Sequence, residues 1–133
     1  MRLSDSGGGN LGDTGLVFSQ DGSMIAAADI SHAAVWDTAT GKLRQTLPRL
    51  DNRFESQKRL VFFHSGHLLA GCGWGDQVPI WNVDTGKLLQ TFYANEVTEA
   101  LAVSPDNTLL ATGGQYAGMN GRIELWDISR LVR

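Results

Sequence analysis

The chain has 133 residues, with 11 Lys and Arg against 14 Asp and Glu, so its net charge is −3 when the histidines are neutral. This length fits one domain, and the balance of charge argues against a nucleic-acid-binding protein, which usually has a strongly basic face. No stretch approaches the ~20 apolar residues of a membrane-spanning helix, so we expect neither a nucleic-acid nor a membrane partner. The single cysteine, Cys72, excludes an intrachain disulfide and favours a reducing compartment, for which we predict a cytoplasmic location.

Internal repetition is the dominant signal in the sequence. Trp36, Trp81 and Trp126 are spaced 45 residues apart. Nearly the same phrase follows the first two, and the segments Thr40–Leu47 and Thr85–Phe92 are identical at six of eight positions. A period near 45 residues is typical of repeat proteins built from small sheets.

Each repeat is predicted to contain short antiparallel strands, because brief apolar runs alternate with Asp, Asn and Gly. The first strands are predicted at Leu16–Ser19, Leu60–Phe63 and Leu101–Ser104. The second strands are predicted at Met24–Ala28, Leu68–Cys72 and Thr108–Thr112. The third strands are predicted at Ala33–Trp36, Val78–Trp81 and Ile123–Trp126. The fourth strands are predicted at Lys42–Leu47 and Lys87–Phe92, each after a turn with Gly41 or Gly86 in the left-handed conformation. No long window keeps helical spacing, so the predicted fold class is all-β, with four-stranded antiparallel propeller blades.

The pairs Trp36-Asp37, Trp81-Asn82 and Trp126-Asp127 give the chain its resemblance to the WD-repeat β-propeller family. The resemblance implies that each tryptophan occupies an equivalent, largely buried place on a third strand, between blades. We accordingly predict a glycine-rich link at 1–13, blade 1 at 14–47, blade 2 with a long loop leading into it at 48–92, and blade 3 without its outer strand at 93–133.

The sequence departs from the family in the polar residues that often accompany the tryptophan. No Gly-His pair precedes the first strands, and the family's aspartate has only approximate counterparts in Asp29, Asp76 and Asn120. We expect this buried polar set to be absent or incomplete, so that blade packing rests mainly on apolar burial.

Three blades are too few for a closed ring, since known propellers use roughly four to eight. Two alternatives follow for the side faces of the outer blades, which we expect to be apolar. The remaining blades belong to a longer chain, or a homodimer completes a six-blade ring.

No catalytic residue, metal site or cofactor site is predicted. His64 and His67 have a spacing seen in metal sites and lie near Cys72, but zinc needs about four ligands, and a solvated turn explains the pair better. Gly86-Lys87 lacks the remaining glycine and the Ser or Thr of a phosphate-binding loop.

The family resemblance implies a non-catalytic protein-interaction scaffold, with protein partners and no cofactor. Two other interpretations stay open from the sequence: an accessory propeller segment of a larger multidomain enzyme, and a self-assembling structural module.

Two insertions locate a candidate partner-binding face. Alignment of the repeats on Phe18, Phe63 and Val103 puts about five extra residues in Pro48–Arg59, and the spacing to the tryptophans puts an expanded hairpin at Gln115–Gly121. In an up-and-down blade both connections emerge on the same face, beside the shorter hairpin that carries Trp74. Insertions on one face are typical of a binding surface, and aromatic and arginine side chains are favoured anchors there. The candidate residues are Arg53, Phe54, Trp74, Tyr116 and Met119; the alternative is that these loops are tolerated lengthenings with Phe54 and Tyr116 tucked back onto the blades.

Overall fold

Three antiparallel sheets follow one another along the chain. The computed structural model describes residue 3 and residues 15–28, 32–48, 57–73, 77–94, 97–115 and 121–131. Blade 1 contains β1 (Gly15–Phe18), β2 (Met24–Ala28), β3 (His32–Asp37) and β4 (Leu43–Pro48). Blade 2 contains β5 (Gln57–Phe62), β6 (Leu68–Gly73), β7 (Gln77–Asn82) and β8 (Leu88–Tyr93). Blade 3 contains β9 (Val97–Val103), β10 (Leu109–Gln115) and β11 (Gly121–Asp127).

The predicted all-β fold class is confirmed, with each blade formed by antiparallel pairing of consecutive strands. The third sheet has three strands in the described part of the chain. The three sheets of this part do not close into a ring. The helical segment in these ranges is a single 3-10 turn at Ser129–Leu131, which the sequence analysis did not predict. No helix in the described ranges is long and apolar enough to cross a membrane.

The turn between the first two strands is closed in the same way in all three blades. A backbone N–H at the end of the first strand donates to the carbonyl that begins the second. The pairs are Ser19 to Met24 (2.8 Å), Phe63 to Leu68 (2.9 Å) and Ser104 to Leu109 (2.9 Å). Ser19, Phe63 and Ser104 are therefore structurally equivalent.

This register corrects the sequence alignment, which equated Phe18 with Phe63. The structural counterpart of Phe18 is Phe62, since Phe18 pairs with Ile25 and Phe62 pairs with Leu69 at the same place in the blade. Phe62 and Phe63 are adjacent and equally apolar, so hydrophobicity alone does not decide which of them aligns with Phe18. The insertion before blade 2 is consequently about four residues rather than five.

The turn between the third and fourth strands depends on the residue that follows each tryptophan. The Asp37 carboxylate accepts a hydrogen bond from the Ala39 N–H at 2.9 Å, and the Asn82 side-chain oxygen accepts one from the Asp84 N–H at 2.8 Å. Asp and Asn are interchangeable here because each supplies an acceptor oxygen. The turns then pass through Gly41 (φ 75°) and Gly86 (φ 77°), which confirms the predicted left-handed glycines.

The core lies between the blades rather than within any one of them. The inner strands β1, β5 and β9 are neighbours, and apolar side chains fill the space between consecutive sheets. We call the side of a blade that is turned toward the preceding blade its leading side, and the opposite side its trailing side. The trailing side of blade 1 packs on the leading side of blade 2 through a cluster that includes Ala26, Ala28, Val35, Leu60, Phe62 and Trp81. The trailing side of blade 2 packs likewise on blade 3 through Phe63, Ala70, Val78, Ile80, Leu101 and Leu110.

Candidate interaction surfaces

The three repeat tryptophans all lie on the leading sides of their blades. Trp81 packs against blade 1, and the Trp126 indole stacks on Phe92 of blade 2 with a centroid distance of 4.9 Å. Trp36 lies at the equivalent place on blade 1, in a small cluster that also contains Leu3. Trp36 and Trp81 are buried, whereas Trp126 is half-buried. That is less burial than the sequence predicted, because β11 is the edge strand of the described sheet and no fourth strand flanks it.

The leading side of blade 1 exposes side chains whose counterparts in blade 2 are buried. Leu16 and Phe18 on β1 are 64% and 61% exposed, respectively. Their equivalents Leu60 and Phe62 on β5 are only 9% and 4% exposed, because blade 1 covers them. Blade 1 therefore exposes two large apolar side chains at positions that are buried between blades in blade 2.

The trailing side of blade 3 shows the same contrast. Ile123 and Leu125 on β11 are 79% and 66% exposed, whereas their equivalents in blade 2, Val78 and Ile80, are fully buried. Small residues on β9 and β10 make a shallow apolar depression of about 190 Å³ beside Ile123, lined by Ala100, Ala102, Ala111 and Gly113. The exposed face is thus a blade-packing surface in which small side chains leave room for larger ones.

His64 joins all three blades on the face that carries the tight turns. Its Nδ1 lies 3.0 Å from Gln20 Oε1 of blade 1, and its Nε2 lies 3.4 Å from the Val103 carbonyl oxygen of blade 3. Its backbone N–H donates to Asn107 Oδ1 at 2.9 Å. One residue of the middle blade therefore contacts the turns of both neighbours.

Asp84 is a second polar contact point between blades 1 and 2. The Gln45 amide of β4 donates to the Asp84 carbonyl oxygen at 3.2 Å, and Arg44 lies 3.6 Å from its carboxylate. His67 of the same blade donates from Nδ1 to Asp84 Oδ2 at 2.6 Å. These groups are exposed to solvent, so the ion pair contributes little to stability by itself, but the contacts orient the two turns.

In blades 1 and 3, the turn between the first two strands contains an aspartate whose carboxylate accepts hydrogen bonds from the turn. Hydrogen bonds from the Ser23 N–H, the Ser23 hydroxyl and the Ser19 hydroxyl lower the pKa of Asp21 from 3.8 to about 2. The Thr108 and Ser104 hydroxyls and the Thr108 N–H lower the pKa of Asp106 to the same value. One oxygen of each carboxylate, Oδ1, accepts all of these hydrogen bonds and so holds its own turn.

The two histidines that were considered as metal ligands point to different partners, His64 to blades 1 and 3 and His67 to Asp84. Nowhere in the part of the chain that the structure describes do three or more His, Cys, Asp or Glu side chains come together in a group able to hold a metal ion. Cys72 is buried on β6.

One element of a buried polar set is present in blade 3. The Trp126 indole N–H donates to the Thr112 hydroxyl at 3.1 Å. The counterparts of Thr112 in the other blades are Ala27 and Gly71, which have no hydroxyl. Asp29, Asp76 and Asn120 lie outside the described residues.

The candidate partner-binding residues also lie outside the described residues; they are Arg53, Phe54, Trp74, Tyr116 and Met119. The strand ends that flank their segments are described. Because the strands alternate in direction, β4, β6 and β10 all end, and β5, β7 and β11 all begin, at one edge of the blades. The His64 and Asp84 contacts lie at the opposite edge.

The contacts of His64 with all three blades could not be predicted from the sequence. Only the register shows that His64 replaces the Gln20 of blade 1 and the Pro105 of blade 3. Unlike Gln20 and Pro105, His64 has two ring nitrogens, one close to blade 1 and the other close to blade 3. No local motif carries that information.

Residues 86–127 match the family model described as WD domain, G-beta repeat. Over these residues the chain has the sequence pattern of the WD-repeat family. The matched segment contains the outer strand of blade 2 and the three strands of blade 3, so one WD repeat of the sequence spans two sheets of the structure.

Two curated relatives are similar to longer stretches of the chain. It is 31% identical over 67 residues to the small ribosomal subunit protein RACK1 of Drosophila melanogaster. The matched stretch covers 50% of this chain and 20% of that protein. It is 28% identical over 119 residues to eukaryotic translation initiation factor 3 subunit I of Debaryomyces hansenii. This matched stretch covers 87% of this chain and 33% of that protein. The chain therefore spans a third or less of the length of these relatives.

Proposed function

We propose that this WD-repeat chain is a non-catalytic protein-interaction scaffold that binds a protein partner at the loop edge of its blades, meaning the edge at which β4, β6 and β10 end. The proposal is supported by the described strand ends that flank the two insertions, all of which lie at this edge. The segments 49–56 and 116–120 connect strand ends that lie there, and the shorter segment 74–76 lies between them in the chain.

The contacts between blades support a scaffold, because apolar clusters join each pair of neighbouring blades and polar contacts connect their turns. His64 connects blade 2 to both neighbours, and Gln45 connects blade 1 to blade 2 at Asp84. A rigid support reduces the ordering cost of binding, which is a main determinant of affinity for a given contact area.

The names of the relatives favour a partner within a larger assembly. One is a small ribosomal subunit protein and the other is a subunit of a translation initiation factor. By this likeness we propose that the chain works as a component of a multiprotein assembly in the cytoplasm, with neither cofactor nor metal.

The test is capture of partners by the tagged chain, followed by comparison of two double variants. We expect Trp74→Ala with Tyr116→Ala to abolish capture, since both residues belong to segments of the loop edge. The matched control is Lys42→Ala with Lys87→Ala, which removes two exposed side chains at the opposite edge. Circular dichroism should be unchanged for both. Undiminished capture by the Trp74 and Tyr116 variant, or equal loss in the control, would remove the loop edge as the binding face.

A further inference from the structure

We propose that β8, the outer strand of blade 2, is a docking edge to which a protein partner adds an extended segment as a fifth, antiparallel strand, with an acidic residue of that segment beside Lys87. This inference goes beyond the scaffold role at the loop edge, because it concerns the outer rim of one blade.

The outer strands of blades 1 and 2 have similar sequences but different edges. β4 reads LRQTLP and β8 reads LLQTFY. The register makes Leu89 the counterpart of Arg44, and Tyr93 the counterpart of Pro48. Both strands contain the same bulge, so the bulge does not distinguish their edges.

The edge of β8 lacks the protection that β4 has. A charged side chain and a proline are two devices that keep an outer strand from pairing with another chain, and β4 has both whereas β8 has neither. A proline in an edge strand stands where an N–H would face solvent, so Tyr93 retains an outward donor that Pro48 does not have. Leu88, Leu89 and Tyr93 are also exposed. β8 is therefore open to a further strand.

This edge stays accessible however many blades stand beside blade 3. The strand order in blade 2 is β5-β6-β7-β8, and it is the inner strands β1, β5 and β9 that neighbour one another. In the described part of the chain β8 pairs with β7 alone. Alternate residues of β8 consequently direct N–H and C=O groups away from the sheet, and an added strand is the structure that satisfies such a row of groups.

The charges at the start of β8 indicate the chemistry of the added segment. Lys87 directly precedes the strand and is exposed. The Asp84 carboxylate in the same turn lies beside Arg44 and His67, and β8 itself has no acidic residue. A carboxylate from the added segment therefore complements Lys87.

The same charge argues against a second copy of β8 as the added strand. Two antiparallel copies paired from residue 88 to residue 93 would place Ala94 opposite Lys87, which leaves the ammonium group without a carboxylate. A partner segment with an acidic end and apolar residues at alternate positions supplies both the charge and a cover for the exposed leucines and Tyr93.

The experiment uses a fluorescent peptide of the same length as Lys87–Tyr93, in which valine and threonine alternate and the last residue is glutamate. An antiparallel segment ends beside Lys87, so the glutamate lies there. We expect the chain to bind one peptide, measured by fluorescence anisotropy, and the amide protons of β8 to exchange more slowly in the complex. Lys87→Ala should weaken binding by up to about fivefold, the range of an exposed ion pair.

Exchange of the edges of blades 1 and 2 provides the decisive comparison. Leu89→Arg with Tyr93→Pro gives β8 the edge that β4 already has, so we expect the fold to be retained and peptide binding to be lost. Arg44→Leu with Pro48→Tyr gives β4 the edge of β8, and the number of peptides bound should rise from one to two. Circular dichroism verifies that each variant folds, and Leu89→Arg alone replaces the first pair if proline prevents folding.

Failure of the chain to bind the peptide would overturn the proposal, as would binding that survives the altered β8 edge or a single bound peptide after the exchange in β4. Slower amide exchange confined to strands other than β8, or self-association through β8 in preference to the peptide, would overturn it as well. Trp74→Ala with Tyr116→Ala should leave peptide binding unchanged, so failure of this proposal is distinguishable from failure of the scaffold role.

Discussion

Phe92 and Trp126 stack across the boundary between blades 2 and 3, with their ring planes inclined by 29° and their centroids 4.9 Å apart. Phe92 is on the outer strand of one blade and Trp126 is on the third strand of the next, and both pack on the apolar cluster between those blades. Offset stacking of this kind adds about 0.5 to 1.5 kcal/mol beyond the burial of area. The pair therefore couples the end of one sheet to the middle of its neighbour.

We predict that Phe92→Ala lowers the free energy of unfolding by about 2 kcal/mol, which is below the range for a fully buried phenylalanine because the ring is half-buried. Urea unfolding followed by tryptophan fluorescence measures the change. The matched control is Leu89→Ala on the same strand, where the side chain is exposed and little change is expected. Equal losses in the two variants would show that the stacking does not stabilise the blade boundary.

We predict that Gly86→Ala is more destabilising than Gly22→Ala. Both glycines have positive φ, at 77° and 76°, so alanine is strained by about 1 to 2 kcal/mol at either position. A Cβ at Gly22 meets no atom within 4 Å, whereas at Gly86 it would lie 2.8 Å from Gln45 Oε1. Gly86→Ala must also displace the Gln45 side chain from its hydrogen bond to Asp84.

Thermal or urea unfolding of five proteins isolates that contact: the original chain, Gly22→Ala, Gly86→Ala, Gln45→Ala and the double variant of Gly86→Ala with Gln45→Ala. The excess cost of Gly86→Ala over Gly22→Ala should disappear when Gln45 is already alanine. An excess that persists without the Gln45 side chain would place its origin in the turn itself.

We predict that acid weakens the fold through Asp21 and Asp106. The folded-state pKa of each is lowered from 3.8 to about 2, so the folded chain binds fewer protons than the unfolded chain between these values. Their contribution is fully present above the unfolded pKa and is lost as the pH falls from 3.8 toward 2. Unfolding by urea across this pH range should show a shallower acid dependence in Asp21→Asn with Asp106→Asn.

The middle blade offers the control for that experiment. Ser65 occupies the equivalent turn position in blade 2 and does not titrate. Ser65→Ala should therefore leave the slope between pH 4 and pH 2 unchanged. The same slope in the aspartate double variant as in the original chain would show that these carboxylates do not control the acid limb.

We predict that Thr112→Val destabilises blade 3 by about 1 kcal/mol, because it removes the hydroxyl that accepts the Trp126 indole hydrogen bond while retaining nearly the same volume. Thr112→Ser keeps the acceptor and serves as the control for the loss of a methyl group. The indole N–H resonance of Trp126, followed by proton NMR, should shift in the valine variant and much less in the serine variant. A shift of equal size in both would assign it to packing.

The arrangement of strands could be predicted from the sequence because the signals that fix it are local. The 45-residue spacing of the tryptophans gave the three blades, and apolar runs bounded by Gly22, Gly41 and Gly86 gave the strands and turns. The partner-binding face was inferred from the lengths of the segments between strands. Its residues lie outside the described part of the chain, so that inference stays a prediction.

What the sequence determined by itself was the repeat, the strand order and the chemistry of each turn, since these depend on residues within a few positions of one another. Only the tertiary structure decided the register at Phe62 and Phe63, because two adjacent apolar residues satisfy the same pattern and the hydrogen bond from Phe63 to Leu68 distinguishes them. It also decided that His64 joins three blades and that Leu16 and Ile123 lie uncovered. Those properties depend on which blade stands beside which, and the residues concerned are about 40 or more positions apart in the chain.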